Sequence, residues 1–236
     1  MIDIFLKTLP FFALIALGFQ AGRTGFFTSE ATAYLTKFVF YFALSAMLFR
    51  FAANLSLAEI LDWWFVAAYL TGCFVVYFLA MGVAFLRKRP ITEAAIEAQC
   101  AVIGNTGFLG VPMLIVLLGP AAAGPVLMVL SLDLIVFSSL IVILITGSRD
   151  GRMSFGILKT VGMGLVKNPM IMSMVAGLAV SGAEIELPTV VDEFVAILGA
   201  AATPGALFAI GASLAGKSAE RVSVAAWISF CKLALH

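Results

Sequence analysis

Between Ile103 and Pro112 the chain reads Ile-Gly-Asn-Thr-Gly-Phe-Leu-Gly-Val-Pro, with glycines at 104, 107 and 110, adjacent Asn105 and Thr106, and a closing proline. The surrounding segment is apolar. Inside a helix glycine costs about 1 kcal/mol and proline about 3 kcal/mol relative to alanine, so a break is expected between Gly104 and Pro112. Within a bilayer a freed backbone is tolerated only where protein covers it or water reaches it, and the break therefore implies a cavity. The half-helix before Gly104 would present its carbonyl end, and the half-helix beginning near Pro112 its N–H end. The first favours cations and the second anions, each carrying roughly half an elementary charge. Pro112 suits the first position of a helix, where its missing N–H would be unpaired anyway. Asn105 and Thr106 would add side-chain donors and acceptors. A plainer role for Gly104, Gly107 and Gly110 is close helix packing. That role leaves the Asn-Thr pair and Pro112 without a purpose.

Two ionisable residues sit where charge is costly. Asp133 lies about ten residues into an apolar segment, and a carboxylate at the membrane centre must face a cavity, find a partner or be protonated. It is a candidate for proton uptake or for lining the substrate path, with a helix-to-helix hydrogen bond as the plainer role. Lys232 is about ten residues into the last apolar segment, roughly 15 Å deep at the helical rise. It could hold an anionic substrate or pair with Asp133; the plainer role is snorkelling to the interface. Glu93 and Glu97, just after Pro90, suit the dipole at a helix start. Trp63, Trp64 and Arg50 fit interface anchors. Cys73, Cys100 and Cys231 have no metal or disulfide spacing and are expected to be buried small residues. Neither a metal site nor a cofactor is expected. His-Glu-x-x-His, Gly-x-Ser-x-Gly and paired intramembrane aspartates are absent, which argues against an enzyme.

The elements that hold these residues are membrane spans. The chain is 63% hydrophobic and 11% charged, far from the roughly 25% charged content of soluble domains. A net charge of +1 with dispersed basic residues excludes a nucleic-acid surface. Seven segments are long enough to cross about 30 Å of hydrocarbon: Ile4–Gly22, Ala33–Phe51, Trp63–Leu86, Thr92–Leu118, Gly124–Thr146, Pro169–Gly182 with its upstream lead-in, and Val195–Ala215. An eighth starts near Val222 and stops at His236, so the sequence is expected to be a fragment. The first segment has neither a basic leader nor a cleavage site and fits a span better than a signal peptide.

Sorting alternate loops places Arg23, Lys37, Arg87, Lys88, Arg89, Arg149, Arg152, Lys159, Lys167, Lys217 and Arg221 on one face. The other has Lys7 and Arg50 with Asp3, Glu59, Asp62, Glu184, Glu186, Asp192 and Glu193. The positive-inside bias puts the first face in the cytoplasm and the N-terminus outside, in a multi-pass protein of the inner (plasma) membrane.

Sliding the chain against itself by 159 places aligns Pro10 with Pro169, Gly18 with Gly177, Leu48-Phe49 with Leu207-Phe208 and Ala53 with Ala212. Five spans precede the second copy, which reverses its direction and makes an inverted repeat of the kind secondary transporters use. The copies divide the chain into 1–155, holding the broken helix 92–118, and 156–236. The partner of Asn105 would fall at position 264, beyond the last residue.

The run Gly104-Asn105-Thr106-Gly107-Phe108-Leu109-Gly110-Val111-Pro112 resembles the fourth-helix motif of the auxin efflux carrier family, whose bacterial members include malonate-type carriers. Phe40–Phe49 resembles its second helix, Lys167-Asn168-Pro169 the start of its sixth, and Gly199–Ala215 its seventh. The resemblance implies an all-α polytopic membrane protein: a five-plus-five inverted-repeat transporter with broken, crossing fourth and ninth helices, here truncated after the start of the eighth span. Ser45 stands where the family often has proline, which puts a bend in the second helix in doubt; Thr203-Pro204-Gly205 keeps one in the seventh. The expected substrate-binding set is Gly104, Asn105, Thr106, Gly107, Pro112, Asp133, Thr203, Pro204 and Lys232. The expected function is secondary transport of a small organic anion, a carboxylate or auxin-like weak acid, by alternating access. Expected partners are that anion, the bilayer, protons or another coupling ion, and a second copy of the chain in a homodimer, with no nucleic acid. The alternative is a passive uniporter, channel or sensor using the same pocket.

Overall fold

The computed structural model describes residues 2–55, 62–150, 155–217 and 222–235. Glu59, Arg152, Arg221 and His236 lie outside the described residues, as do the side chains of Asp3 and Arg149. The described elements are helices: α1 (Ile2–Arg23), α2 (Ser29–Phe38), α3 (Leu44–Ala53), α4 (Trp63–Leu86), α5 (Ile91–Val102), α6 (Val111–Leu118), α7 (Ala123–Leu132), α8 (Ser138–Asp150), α9 (Phe155–Lys167), α10 (Pro169–Gly182), α11 (Thr189–Ala200), α12 (Ala202–Ala215) and α13 (Val222–Phe230). Wider π-helical turns join several of them, at Val39–Ala43, Thr106–Gly110, Asp133–Phe137 and Cys231–Leu235.

Six helical stretches are long and apolar enough to span a membrane: Phe5–Arg23, Ser29–Ala53, Trp63–Leu86, Ile91–Leu118, Ala123–Ser148 and Thr189–Ala215. A seventh crossing requires α9 and α10 together, across a 66° bend at Asn168, and Val222–Leu235 is a shorter apolar helix. The chain is a polytopic all-α membrane protein, with apolar side chains such as Phe12, Phe42, Phe78 and Val175 more than half exposed on its helices. Local sequence sets the ends. The Asp62 carboxylate accepts from the N–H groups of Trp64 and Phe65 at 2.9 and 3.1 Å to start α4, and Lys88 in the left-handed region stops it ahead of Pro90.

The chain forms two compact units. One comprises Met1–Ile60, Asn105–Leu127 and Pro169–Ser218; the other comprises Leu61–Gly104, Met128–Asn168 and Ala219–His236. In the first, α1 packs along α12 and α3 along α10. Both packings use glycine against backbone. A Cβ on Gly18 would overlap the carbonyl of Phe208, and a Cβ on Gly177 would overlap that of Phe49. The two pairs are related by the offset of 159 places, since Gly18 maps to Gly177 and Phe49 to Phe208. The turn after each glycine-bearing helix repeats as well. Gly25 and Glu184, again 159 apart, hold φ of 74° and 52°, and their N–H groups donate to Gly22 at 3.2 Å and Ser181 at 3.0 Å. Pro10 and Pro169 part company: Pro10 is inside the unbroken α1, whereas Pro169 opens α10 after the bend.

Where a bend is expected in the seventh span, the helix is interrupted for one residue at Ala201, between α11 and α12, within a stretch that remains one span. The interruption precedes Pro204, whose ring cannot share a regular turn with the carbonyl four residues back. The second span is interrupted too, although Ser45 replaces proline. The Ser45 hydroxyl donates to the Phe40 carbonyl at 3.1 Å across the wide turn Val39–Ala43. A side-chain bond to the backbone thus accompanies a wide turn where a proline was thought necessary.

The second unit packs α4 against α5 and α5 against α8 and α13. Ala94, Ala98 and Ala101 give α5 a flat face, and Tyr77, Phe137, Cys73 and Cys231 fill the space beside it. Cys100 departs from expectation, being exposed where Cys73 and Cys231 are buried. Glu97 does more than face a helix dipole: it is 6% exposed and ion-paired with Arg87. Removing Arg87, which is itself exposed, would leave the buried Glu97 carboxylate without its partner.

Candidate functional site

In the second unit the fourth span loses its helix after Val102. Ile103 is extended, with φ −82° and ψ 125°, and Gly104 comes next, outside any helix. The carbonyl end expected before Gly104 is therefore formed. Lys232, from the wide turn Cys231–Leu235, donates from Nζ to the Val102 carbonyl at 2.8 Å. A Cβ on Gly104 would lie 3.3 Å from its Cε and 3.4 Å from its Nζ, so the glycine gives the lysine its approach. Lys232 is half-buried, and its ammonium occupies the end of a helix whose dipole favours a cation. Such charge-assisted bonds contribute about 1.5–3 kcal/mol. An ammonium has three donors, and Val102 takes one.

Asp133 opens another wide turn, Asp133–Phe137, and is 4% exposed. Its carboxylate accepts from the Tyr69 hydroxyl of α4 at 2.7 Å, and its backbone carbonyl accepts from Ser138 Oγ at 3.4 Å. The pairing with Lys232 allowed from sequence is not the hydrogen bond either side chain makes. The two groups are near enough for their charges to interact. Both ionisable residues thus sit in π-helical turns, which widen a helix by one residue and recur at functional sites. No three of His, Cys, Asp and Glu converge as metal ligands would among the described residues.

In the first unit, Asn105 caps the helical turn just past the break. Its Oδ1 accepts from the Phe108 N–H at 3.2 Å, and its backbone carbonyl accepts from Leu109 at 3.1 Å and Gly110 at 2.9 Å. Helical structure therefore resumes at Thr106, not near Pro112 as expected. Pro112 falls instead in the first turn of α6, directly after the wide turn Thr106–Gly110. The reason is local. An Asx cap starts a helix wherever it stands, and a wide turn ahead of the proline relieves the clash with the preceding carbonyls. Gly107 and Pro112 are buried, Thr106 is half-buried, and Gly104 and Asn105 are exposed or nearly so.

Pro112 and Thr203 share the wall of a cavity of about 260 Å³ in this unit, with Arg50, Met47 and Gly199. Pro204 is exposed and does not line it. Arg50, expected to anchor at the interface, makes a two-pronged ion pair with Asp192 of α11, Nε–Oδ1 3.0 Å and Nη2–Oδ2 3.2 Å. The planar guanidinium fork matches the two carboxylate oxygens, and the partly exposed pair is compatible with a place at the interface. Tyr69, Arg50 and Asp192 were not among the expected site residues. A tyrosine in an apolar span, one of two there with Tyr77, was the visible signal for the first.

The family described as membrane transport protein matches residues 3–236. A relative from Rhizobium meliloti (strain 1021), named "Putative malonate transporter", is 28% identical over 234 residues, covering 97% of this chain and 72% of that protein. The mouse (Mus musculus) lysosomal cholesterol signaling protein is 26% identical over 227 residues, 91% of this chain but 26% of its own length. With the family match running almost end to end and the fourth span broken at its motif, the chain belongs to the membrane transport protein family, the auxin efflux carriers.

Proposed function

We propose that the protein is a secondary transporter that moves a small organic anion, of the carboxylate or weak-acid class, by alternating access. The observation that carries this reading is the ammonium of Lys232 held at the carbonyl end of the broken fourth span, on Val102 and over Gly104. A fixed positive charge there can attract an anion while a bound metal cation is not required to balance the helix end. Within the other compact unit, Asn105, Thr106 and Gly107 of the resumed helix are proposed as binding residues in their own right, as are Pro112 and Thr203, which line one cavity there. The name of the Rhizobium relative supports a dicarboxylate such as malonate as the first substrate to try. Asp133, buried on the Tyr69 hydroxyl, is the candidate proton carrier.

The repeat relation of Gly18 and Phe208 to Gly177 and Phe49 supports an inverted five-plus-five architecture, with halves 1–155 and 156–236. The compact units cut across those halves, as they can when equivalent helices of two copies pack together. Charge sorting supports an N-terminus outside the inner membrane, and a homodimer remains the expected assembly.

The test is uptake of labelled mono- and dicarboxylates into proteoliposomes, with and without an imposed proton gradient. Uphill accumulation that is lost in Asn105→Ala and Lys232→Met is the expected outcome. Downhill equilibration indifferent to the gradient and to both substitutions would replace the carrier with a uniporter or channel.

A further inference from the structure

Two cavities of the first unit occupy equivalent places in the two copies. One, of about 910 Å³, lies between the turn after α10 and the end of α3. The other, of about 410 Å³, lies between the turn after α1 and the end of α12. Gly22 and Ala212 of the smaller cavity are matched, at the offset of 159 places, by Ser181 and Ala53 of the larger. Their backbones repeat, but their chemistry does not. Among the described residues, the larger is lined by three carboxylates, Glu184, Glu186 and Asp192, and by no lysine or arginine. Among the described residues, the smaller is lined by four hydroxyls, on Thr28, Ser29, Thr32 and Ser213, together with Lys217, and by no carboxylate. Since the same fold is built with either lining, packing does not dictate the charge.

The geometry points to the smaller cavity as a binding site for a phosphate group, carried by an anionic lipid or free in solution. Thr28 accepts from the Ala31 N–H at 3.2 Å through Oγ1, which keeps its hydroxyl proton for another acceptor. Thr32 donates to the Thr28 carbonyl at 3.0 Å and is the one lining hydroxyl whose proton is committed. Ser29, Ser213 and Lys217 are exposed, so they add two hydroxyl donors and an ammonium. Phosphate offers several acceptor oxygens and negative charge to match that set. Lys217 comes just after α12, where a cation also suits the helix dipole. That role accounts for the lysine and leaves the cavity and its hydroxyls unexplained. The space is within the range of small-molecule pockets, about 300–1,000 Å³, and accepts a headgroup phosphate with its glycerol. Phe26, 87% exposed in the same turn, supplies an apolar neighbour that a lipid would use and a free ion would not. Arg23 and Lys217 belong to the face that charge sorting places in the cytoplasm.

The test is native mass spectrometry of the 236-residue chain in detergent, titrated with phosphatidylglycerol, phosphatidylcholine of the same chain length, or inorganic phosphate. Wild type should retain one phosphatidylglycerol about tenfold more tightly than phosphatidylcholine, in line with one charge-assisted bond. Lys217→Gln should remove that preference, Lys217→Arg should keep it, and Ser213→Ala should weaken it with an unchanged melting temperature. Displacement by millimolar inorganic phosphate would assign the site to the free ion, and resistance would assign it to lipid. Equal retention by wild type, Lys217→Gln and Ser213→Ala, or equal retention of the two lipids, would overturn the site. Because these residues are remote in sequence from the broken helix, the outcome is independent of transport.

Discussion

Two hydrogen bonds hold the ionisable residues on which the proposed chemistry depends, Lys232 on the Val102 carbonyl and Tyr69 on Asp133, and each can be broken without reshaping a helix. Lys232→Met removes an ammonium from the Val102 carbonyl; the expected cost is about 1.5–3 kcal/mol in unfolding measured in mixed micelles, together with loss of uptake. Gly104→Ala separates position from stability. Its Cβ meets only the flexible end of Lys232, which can give way slightly and keep its bond to Val102, so folding should change by less than about 1 kcal/mol while uptake falls as the ammonium is displaced. Unchanged uptake in that variant would show that the position of the ammonium is unimportant. At Asp133, Tyr69→Phe removes the hydroxyl donor that holds the carboxylate in place. Uptake driven by an imposed proton gradient should therefore fall in Tyr69→Phe, and its dependence on the gradient should vanish in Asp133→Asn. If Asp133→Asn kept the wild-type dependence, another residue would have to carry the proton.

Helices of this chain are interrupted by three different devices. Pro204 stands just after the turn at Ala201, the Ser45 hydroxyl bonds the backbone across Val39–Ala43, and Asn105 caps a new start after Gly104. The sequence makes the first and third visible, because proline and an Asx cap act on their own neighbours. The second is hidden, since serine bends a helix only when its hydroxyl turns back to the backbone. Helix contact depends on glycine in a similarly local way. Gly18→Ala and Gly177→Ala each force a Cβ into a facing carbonyl, and each should cost about 1–3 kcal/mol of stability. The two losses should be similar if α1 with α12 and α10 with α3 are equivalent packings. Thermal unfolding of both variants compares them; an effect at one glycine and none at the other would count against the repeat.

For the molecule as a whole, orientation is the property most open to a direct test. In a background without Cys73, Cys100 and Cys231, single cysteines at Lys88 and Trp64 should react with a membrane-impermeant maleimide from opposite sides. Lys88→Cys should label only in inverted vesicles and Trp64→Cys only in intact cells. The reverse pattern would place the N-terminus in the cytoplasm and invert the charge assignment. Opposite reactivity is required in either case, because α4 lies between the two positions and is long enough to cross.

Helical class, a polytopic membrane chain, the broken fourth segment and the family were legible in the chain itself, whereas the sixth expected span proved to be two short helices, α9 and α10. Each legible feature depends on properties that act over short stretches: hydropathy over about 20 residues, glycine and proline in a turn, a motif nine residues long. The pairing of Gly18 with Gly177 at an offset of 159 places was also visible in the chain, and both glycines pack against a facing carbonyl. Partner choice was not visible. Lys232 could have sought Asp133, an interface or a substrate, and only the fold brings the Val102 carbonyl, 130 residues away, within 2.8 Å. Tyr69 for Asp133, Asp192 for Arg50 and Arg87 for Glu97 were decided in the same way. A side chain's type fixes what it can bind, whereas which complementary group comes within about 3 Å depends on how helices distant in sequence pack.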